Sequence, residues 1–311
     1  MKIKSLSIVI LLFVVLVGGL GFSSEARAVT FSDVDLGMAG STGLNLGIFV
    51  TGPTKMHATY SGNYFDANLG LDNGANTSFT GGWTMTGTLY QDPGATVQSN
   101  IGKFTIEGGI TTQSLAQAVS DVRKAAANAS SLTANQTINR NISNGQILDT
   151  NVGVSNVLGG HSAVIDINGN ITITSSKNLT ISGGANDWII INVNGDIKVT
   201  SGGSIALAGG IPASHVLFNV EGTHDIAMIG QNPRPILNAT FLAPNDGQKI
   251  TLSPAVVNGA IIAYEISISS GTTIIQNPFI ADPVPLPPSG LLLGSGLLGL
   301  GLLGYRRKRR C

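Results

Sequence analysis

Short apolar runs separated by turn residues recur through the middle of the chain, and this pattern limits what the chain can fold into. The runs lie at 164–167, 171–174, 179–181, 189–193, 197–199, 205–207 and 216–220. Asn-Gly, Gly-Gly or Ser-rich breaks separate them. Val, Ile and Thr in such short, regularly punctuated segments are typical of β-strands joined by tight turns. The pattern predicts a mainly β body, built either as a solenoid or as a sandwich.

The spacing between the runs favours the solenoid. The breaks differ in length, as at 175–178 and 183–187, so no fixed repeat emerges. A propeller needs a fixed repeat, whereas an irregular right-handed β-helix accepts corners of different lengths. The Asn-Gly breaks at 168–169 and 194–195 would also suit two-residue β-hairpins. A β-sandwich is therefore the alternative fold.

One segment has the period of a helix. Its apolar positions recur at steps of three and four residues: Leu115, Val119, Val122, Ala126 and Ala129. This spacing defines one face of an α-helix, and Thr112 is placed to serve as its N-cap. We predict a single long helix over residues 112–131 that packs its small, Ala-rich face against the β body.

The first 28 residues are predicted to be a secretory signal peptide. Two lysines precede an apolar run over residues 8–20, and Ala26-Arg27-Ala28 then supplies a small-x-small cleavage site before Val29. This order of parts is that of a segment removed on export, here by the Sec machinery. The mature body is expected to begin at Val29 and to extend over 29–280.

The last residues combine three parts in a fixed order. A Pro-rich linker over 281–288 contains Val284, Pro285, Leu286 and Pro287. An apolar segment over 289–305 is predicted to be a helix, and the tail over 306–311 contains Arg306, Arg307, Lys308, Arg309 and Arg310. The apolar run falls a little short of the ~20 residues usual for a membrane-spanning helix. The five cations are expected to stay on the cytoplasmic side, so the segment would hold the chain in the inner membrane.

This tail resembles the PEP-CTERM sorting signal of Gram-negative bacteria, in its variant with Val-Pro-Leu-Pro. The resemblance implies that an exosortase-type transpeptidase acts near the Pro motif and passes the protein to the cell surface or releases it. It also links the chain to producers of exopolysaccharide. Leu286 stands where the commonest motif has Glu, and Cys311 follows the basic cluster. A plain single-span anchor is the alternative.

Charge and cysteine usage narrow the classes of partner. Between Val29 and Pro285 the sequence holds nine Lys and Arg against sixteen Asp and Glu, a net charge of −7. An acidic body argues against nucleic-acid binding and against docking on anionic lipid. The only cysteine is Cys311, so the body is expected to have no disulfide and no Cys-based metal site.

Several motifs of the body follow one another in an order that resembles known protein families. They lie at 65–74, 79–90, 179–187, 189–195, 215–222, 241–245 and 258–263. Together they resemble the choice-of-anchor A surface proteins and, more loosely, the ice-binding-like β-solenoids. The second resemblance implies an irregular right-handed β-helix with a long helix packed alongside. These motifs are structural rather than catalytic.

No catalytic set is recognisable in the sequence. The four histidines are His57, His161, His215 and His224, and the glutamates considered are Glu107, Glu221 and Glu265; all are scattered. No nucleophile motif or metal-ligand spacing accompanies them. A β-helix glycosidase or lyase could still assemble distant carboxylates. We predict no enzymatic activity and no cofactor.

A structural Ca²⁺ is one alternative that the acidic residues leave open. Asp33-Val-Asp35 begins like a calcium loop, but Leu44 stands where an EF-hand needs Glu. Asn186, Asp187 and Asp196 could offer oxygens at a corner, although acidic turn residues are usually only solvated.

Ice and sugars are the other candidate ligands. Thr84-x-Thr86-x-Thr88 and Thr172-x-Thr174 place hydroxyls on one face of a strand. An ice-binding array needs such pairs on consecutive coils, whereas Asp166 and Lys198 are expected at comparable places. The candidate platforms for stacking a sugar ring are Trp83, Tyr90 and Trp188.

The sequence thus predicts a non-enzymatic, exported surface or matrix protein with a structural or adhesive role, whose expected partner is exopolysaccharide or another component of the matrix. A ligand-binding module for ice or glycan is the alternative, and a carbohydrate-active enzyme is the third reading.

Overall fold

The computed structural model describes residues 29–58, 62–99, 104–230, 233–269 and 271–281. The predicted signal peptide with Ala26 and Ala28 lies outside these residues, as do the sorting motif Val284–Pro287, the apolar segment and the basic tail. Only Val29, at the predicted cleavage point, is described.

The body is a solenoid whose strands form three faces. Face 1 contains β1 (Leu46–Val50), β4 (Asn68–Leu71), β7 (Leu89–Gln91), β10 (Ile110–Thr112), β11 (Gln136–Ile138), β13 (Val154–Ser155), β14 (His161–Ile167), β17 (Trp188–Val193), β20 (Val216–Val220) and the C-terminal halves of β22 (Ile236–Ala243) and β24 (Val256–Ala263). Face 2 contains β3 (Asn63–Asp66), β6 (Trp83–Met85), β9 (Phe104–Ile106), β12 (Ile147–Asp149), β16 (Asn178–Ser182), β19 (Ser204–Ala208), β26 (Thr273–Gln276) and the N-terminal halves of β22 and β24. Face 3 contains β2 (Lys55–Ala58), β5 (Asn76–Phe79), β8 (Thr96–Ser99), β15 (Ile171–Ile173), β18 (Ile197–Thr200), β21 (Ile226–Ile229), β23 (Lys249–Ser253) and β25 (Glu265–Ile268).

The strand pairing decides between the two predicted folds. Among the described residues every ladder is parallel except the short one between β13 and β14. Parallel neighbours cannot be joined by hairpins, so the β-sandwich alternative is wrong. The Asn168-Gly169 and Asn194-Gly195 breaks are corners between face 1 and face 3. The mainly β solenoid with one helix is confirmed.

Alternation along the strands fills the interior of the solenoid. In β16, Leu179 and Ile181 are buried while Asn178 is exposed, which is the period-2 pattern of a strand covered on one side. Inward residues of the three faces form one continuous apolar core, which includes the ring contact between Phe218 and Phe241. The burial of these stacked aliphatic layers is therefore the main source of stability in the body.

A single helix, α1 (Ala116–Ser131), lies along face 1. Face 1 differs from the others because its outward residues are also apolar, among them Ile190, Leu217, Leu242 and Ile262. The helix covers them with Val122 and several alanines, so the central strands of face 1, such as β1, β17 and β20, are buried on both sides. Four short 3₁₀ turns complete the described elements: Phe31–Asp33, Gly37–Ala39, Thr150–Val152 and Ala213–His215.

The helix starts later than predicted. Thr112 is not its N-cap but the last residue of β10, where it pairs with Gln91. The N-cap is Leu115, whose N–H donates to Asp92 Oδ2 at 3.1 Å. The ladder with β7 therefore outcompetes the helix for residues 110–112. The predicted end at Ser131 is correct.

Two asparagines attach the C-terminal half of α1 to face 1. Asn192 Nδ2 donates to Ala129 O at 2.9 Å, and Asn219 Nδ2 donates to Ala126 O at 3.1 Å. Both asparagines are buried, so each side-chain amide finds its hydrogen-bond acceptor on the helix backbone inside the protein. They fix the position of the helix along the solenoid.

No helix within the described ranges is long and apolar enough to cross a membrane.

The coils do not stack in chain order. Strands from residues 46–112 build away from β1, β2 and β3 in one direction, and strands from 136–276 build back towards them from the other end. The two parts meet where β24 pairs with β1, β25 with β2 and β26 with β3. We call these three ladders the seam. The first coil is thus enclosed between the second coil and the last one, and α1 connects the two ends.

Candidate functional site: the outer surface of face 2

Face 2 presents two rows of outward side chains along the solenoid. The first row is Thr105, Thr84, Tyr64, Thr273, Val256, Ile236, Ser204 and Asn178. The second row is Thr86, Asp66, Ile275, Asn258, Asn238, Ala206, Thr180 and Ile147. Neighbours within a row lie on adjacent parallel strands, about 4.8 Å apart. The surface is therefore a regular grid rather than a cleft.

The grid is nearly free of charge and partly apolar. Asp66 is the only ionisable acid or base in the two rows apart from the phenol of Tyr64. Tyr64 is 42% exposed, Ile236 48% and Ile275 43%, and no element within the described ranges covers them. Face 3, by contrast, carries Lys198 and the Lys249–Glu265 ion pair. Contiguous exposed apolar side chains on a rigid sheet are typical of a contact surface.

The two threonine runs noted in the sequence lie on different faces. Thr84 and Thr86 are on face 2, where Thr84 neighbours Thr105 and Tyr64. Thr172 lies on face 3 and pairs with Lys198, so the expected interruption by a lysine is observed there. On face 2, Thr86 Oγ1 donates to Asp66 Oδ1 at 2.6 Å, so this hydroxyl donor is already engaged within the protein. The threonines therefore cluster at one end of face 2 and do not run along it.

Of the three aromatic residues proposed as sugar platforms, Trp83 and Trp188 are buried and Tyr90 is partly buried. Trp83 is inside the solenoid, with its ring 4.1 Å from that of Phe104, and Trp188 lies beneath His215 at 3.9 Å. Tyr90 packs against the helix side of the core. The aromatic ring on the open grid is Tyr64, which the sequence reading did not single out.

The structure does not bring the candidate acids together. Glu107 follows β9 at one end of face 2, Glu221 follows β20 at a corner, and Glu265 pairs with Lys249 on face 3. Among the described residues no three of the His, Cys, Asp and Glu side chains are grouped so that they could hold a metal ion.

Asp187 is engaged by the protein itself. Its Oδ2 accepts from Thr150 Oγ1 at 2.5 Å and from Gly184 N at 2.7 Å, and its Oδ1 accepts from His161 N at 2.7 Å. Burial acts to raise the pKa of Asp187, but these donors and the nearby His161 ring outweigh it and hold the pKa below its usual value. The carboxylate is a structural acceptor at the entry to β17.

Asp196 has a similar role at another corner. Asn170 Oδ1 accepts from Asp196 N at 2.8 Å, Asp196 Oδ1 accepts from Asp225 N at 3.0 Å, and Asp225 Oδ1 accepts from Lys249 N at 2.8 Å. Each side chain thus binds the backbone of the next coil. Asp196, one of the residues considered as calcium ligands, thus belongs to a ladder of side chains that joins the corners.

Three solved structures with a similar architecture are ice-binding proteins. One from an Antarctic biological consortium matches with a TM-score of 0.53 at 16% identity, over 80% of this chain and 90% of that one. The antifreeze protein LeIBP of an Arctic yeast matches with a TM-score of 0.51 at 15% identity, over 82% and 99%. That from the Antarctic ascomycete Antarctomyces psychrotrophicus matches with a TM-score of 0.50 at 18% identity, over 78% and 97%. At these identities the likeness establishes the fold alone.

Comparison with curated proteins gives no significant match in sequence. The model of one protein family, described as an ice-binding-like adhesive domain, matches residues 17–274. That match covers most of the chain, including the helix and every strand of the solenoid up to the start of β26. The chain belongs to the family of ice-binding-like adhesive domains.

Proposed function

We propose that this chain is an exported surface protein that adheres through face 2 to a neutral, extended polymer, such as an exopolysaccharide of the envelope or biofilm matrix. The observation that supports this most directly is the uncharged grid of face 2 with Tyr64, Ile236 and Ile275 exposed. The family description as an adhesive domain agrees with it. The role is one of binding, without turnover.

The grid suits a sugar polymer laid along the solenoid axis. Sugar rings have apolar C–H faces, which pack on Tyr64 and Ile275, and hydroxyl rims, which hydrogen-bond to amides and hydroxyls. Asn238 and Asn258 supply amides in the same row as Ile275. A polymer along the axis meets a new strand every ~4.8 Å, so many weak contacts add up.

The targeting segments complete the proposal. Residues 1–28 direct Sec-dependent export from a Gram-negative cell, and the tail holds the chain in the inner membrane. An exosortase-type transpeptidase then acts near Val284–Pro287 and moves the body to the cell surface or beyond.

A binding assay with matched isoleucines tests the face 2 proposal. We expect Ile236→Lys with Ile275→Lys to weaken binding to a neutral β-glucan such as cellulose. Each change removes about 1 kcal/mol of apolar contact, roughly 30-fold together. Ile229→Lys on face 3 is the control, because Ile229 has the same 43% exposure as Ile275. Equal binding by all variants, or binding only to an acidic polyuronate such as alginate, would contradict the proposal.

Ice is the second candidate ligand of the same face. It is favoured by the threonine cluster at one end, where Thr84, Thr86 and Thr105 lie on or directly after the neighbouring strands β6 and β9. It is also favoured by solved structures of this architecture that are ice-binding proteins. The bulky Tyr64 and Ile236 interrupt the regular hydroxyl array. Ice-crystal shaping by the purified protein that is lost in Thr84→Tyr would favour ice over glycan.

A further inference from the structure

An uncharged excursion, which includes the short strand β13, connects β12 to β14 at one end of the solenoid. It spans Thr150 to Gly160 and contains no acidic or basic residue. Four aliphatic side chains on it, Val152, Val154, Val157 and Leu158, are between 38% and 63% exposed. Elsewhere in the described body most Val and Leu side chains are buried. An exposed aliphatic group of this kind, concentrated on one short segment, marks a contact surface.

The excursion is held rigidly by polar bonds. Asn156 Nδ2 donates to Asn186 O at 2.7 Å, and Asn186 Nδ2 donates to Leu158 O at 3.0 Å. Thr150, at its start, is buried and donates to Asp187. The aliphatic side chains are therefore exposed by a fixed backbone and not by fraying. A preorganised apolar surface loses little entropy when it is covered.

Both ends of the described body lie beside this excursion. Val154 lines a surface groove of about 370 Å³ together with Val29 and Leu132. Trp188 directly follows the Asn186–Asp187 pair that holds the excursion, and its Nε1 donates to Ile280 O at 2.9 Å. The chain thus continues towards residues 282–311, the predicted membrane tail, from a point next to the aliphatic group.

We propose that the Thr150–Gly160 excursion docks on the surface of a neutral lipid bilayer while the tail holds the chain there. This rests on the proposed membrane tail but on no particular ligand of face 2. A short apolar segment without charge needs no anionic headgroup, in keeping with the acidic body. Attachment through the adjacent tail raises the local lipid concentration, so a small apolar contact suffices.

The size of the group favours lipid over a second copy of the chain. A stable protein–protein interface buries ~800 Å² on each partner and centres on aromatic or Arg anchors. Four half-exposed aliphatic side chains offer much less than this, and the excursion has no aromatic or Arg residue. The excursion lies in the connection next to β12, the terminal strand of the face 2 ladder.

A labelled full-length chain tests the proposal. Cys311→Ser removes the only cysteine, and Val157→Cys then carries an environment-sensitive dye. Ile110→Cys is the matched control, because Ile110 is also an exposed aliphatic residue but lies on β10 at the opposite end of the solenoid. On phosphatidylcholine vesicles we expect the dye at position 157 to emit at shorter wavelength and to be protected from iodide, with no change at position 110. Val154→Asn with Leu158→Asn should abolish the protection without altering the melting midpoint.

The outcomes separate the alternatives. Equal quenching at both positions in protein that floats with the vesicles would overturn the lipid contact while leaving the tail in the membrane. Protection at position 157 without vesicles, increasing with protein concentration, would show that a second copy is the occupant. Protein that does not float would refute the tail and this inference together. Cellulose binding is measured separately on the variant with Val154→Asn and Leu158→Asn, because it reports on face 2. We expect this binding to be unchanged.

Discussion

Single polar side chains decide how the corners of this solenoid are built. Asp187 receives bonds from Thr150, Gly184 and His161, which belong to three separate segments. A carboxylate can accept several hydrogen bonds, so one buried acid satisfies donors that would otherwise be left without partners. The same residue fixes the start of β17 and the base of the aliphatic excursion.

Replacing Asp187 by Asn should therefore destabilise the body. We expect a loss of about 2–4 kcal/mol at neutral pH, because the amide cannot accept all the donors. Since the pKa of Asp187 is lowered in the fold, its contribution is present above the ordinary value near 4 and is lost as pH falls through the lower folded value. Denaturant melts between pH 7 and pH 3 would show a difference that shrinks in acid. A pH-independent difference would contradict this role of the charge.

At the level of residues, the sequence predicted inward positions better than surface ones. Inward Ile and Val alternate with polar residues within one run, so local order reveals them. The surface role of Tyr64 depends on Thr273, which follows it by more than two hundred residues and pairs beside it. Trp83 and Trp188 were candidate platforms for a sugar ring, with packing in the core as the alternative, and each packs against another ring. Nothing local in the sequence distinguishes these cases.

Among the elements, α1 was the most predictable. The stripe Leu115–Val119–Val122–Ala126–Ala129 faces the solenoid, with Val119 only partly buried, and Ala118 and Ala125 widen it. Its start was missed because residues 110–112 complete a ladder with β7, a tertiary effect that overrides helix propensity. Strands were recognisable by composition and length. The face to which each strand belongs could not be recognised from the sequence, because the corners differ in length.

Val122→Asp tests the docking of the helix. Val122 lies on α1 and is fully buried against face 1, so an unpaired charge there should lower the stability by about 2–4 kcal/mol. Ala127→Asp is the control, because Ala127 is exposed on the same helix and should change the stability by about 0.5 kcal/mol or less. Chemical denaturation of both variants provides the comparison. Equal midpoints would mean that the helix does not depend on this contact.

For the whole molecule, the order of the coils was beyond the reach of the sequence. Each run predicts a strand, but no local signal says that β24 pairs with β1 rather than only with β22 and β26. The seam joins Ile48 to Ile261, and only the complete fold brings such positions into register.

A crosslink across the seam should stabilise the body more than one within a single part. His57 and Ser267 are partners on neighbouring face 3 strands, as are Thr251 and Ser267. Adjacent strands lie within disulfide reach, so Cys pairs at either site can close when Cys311 is replaced by Ser. The seam pair closes the longer loop and should add up to about 5 kcal/mol, against about 3 kcal/mol for the other. Oxidised and reduced melts measure both gains, and a larger gain from the inner pair would contradict the expectation.

The enclosed first coil also sets the timing of folding during synthesis. Strands β1, β2 and β3 are made early, yet each lacks one neighbour until residues 256–276 emerge from the ribosome. Contacts between such distant residues form late, because the loop between them must close first. A nascent chain therefore cannot seal its first coil while it is still being made. The arrangement keeps the body unfinished until nearly all of it has been synthesised, which is the condition in which a polypeptide can still be threaded through a narrow pore.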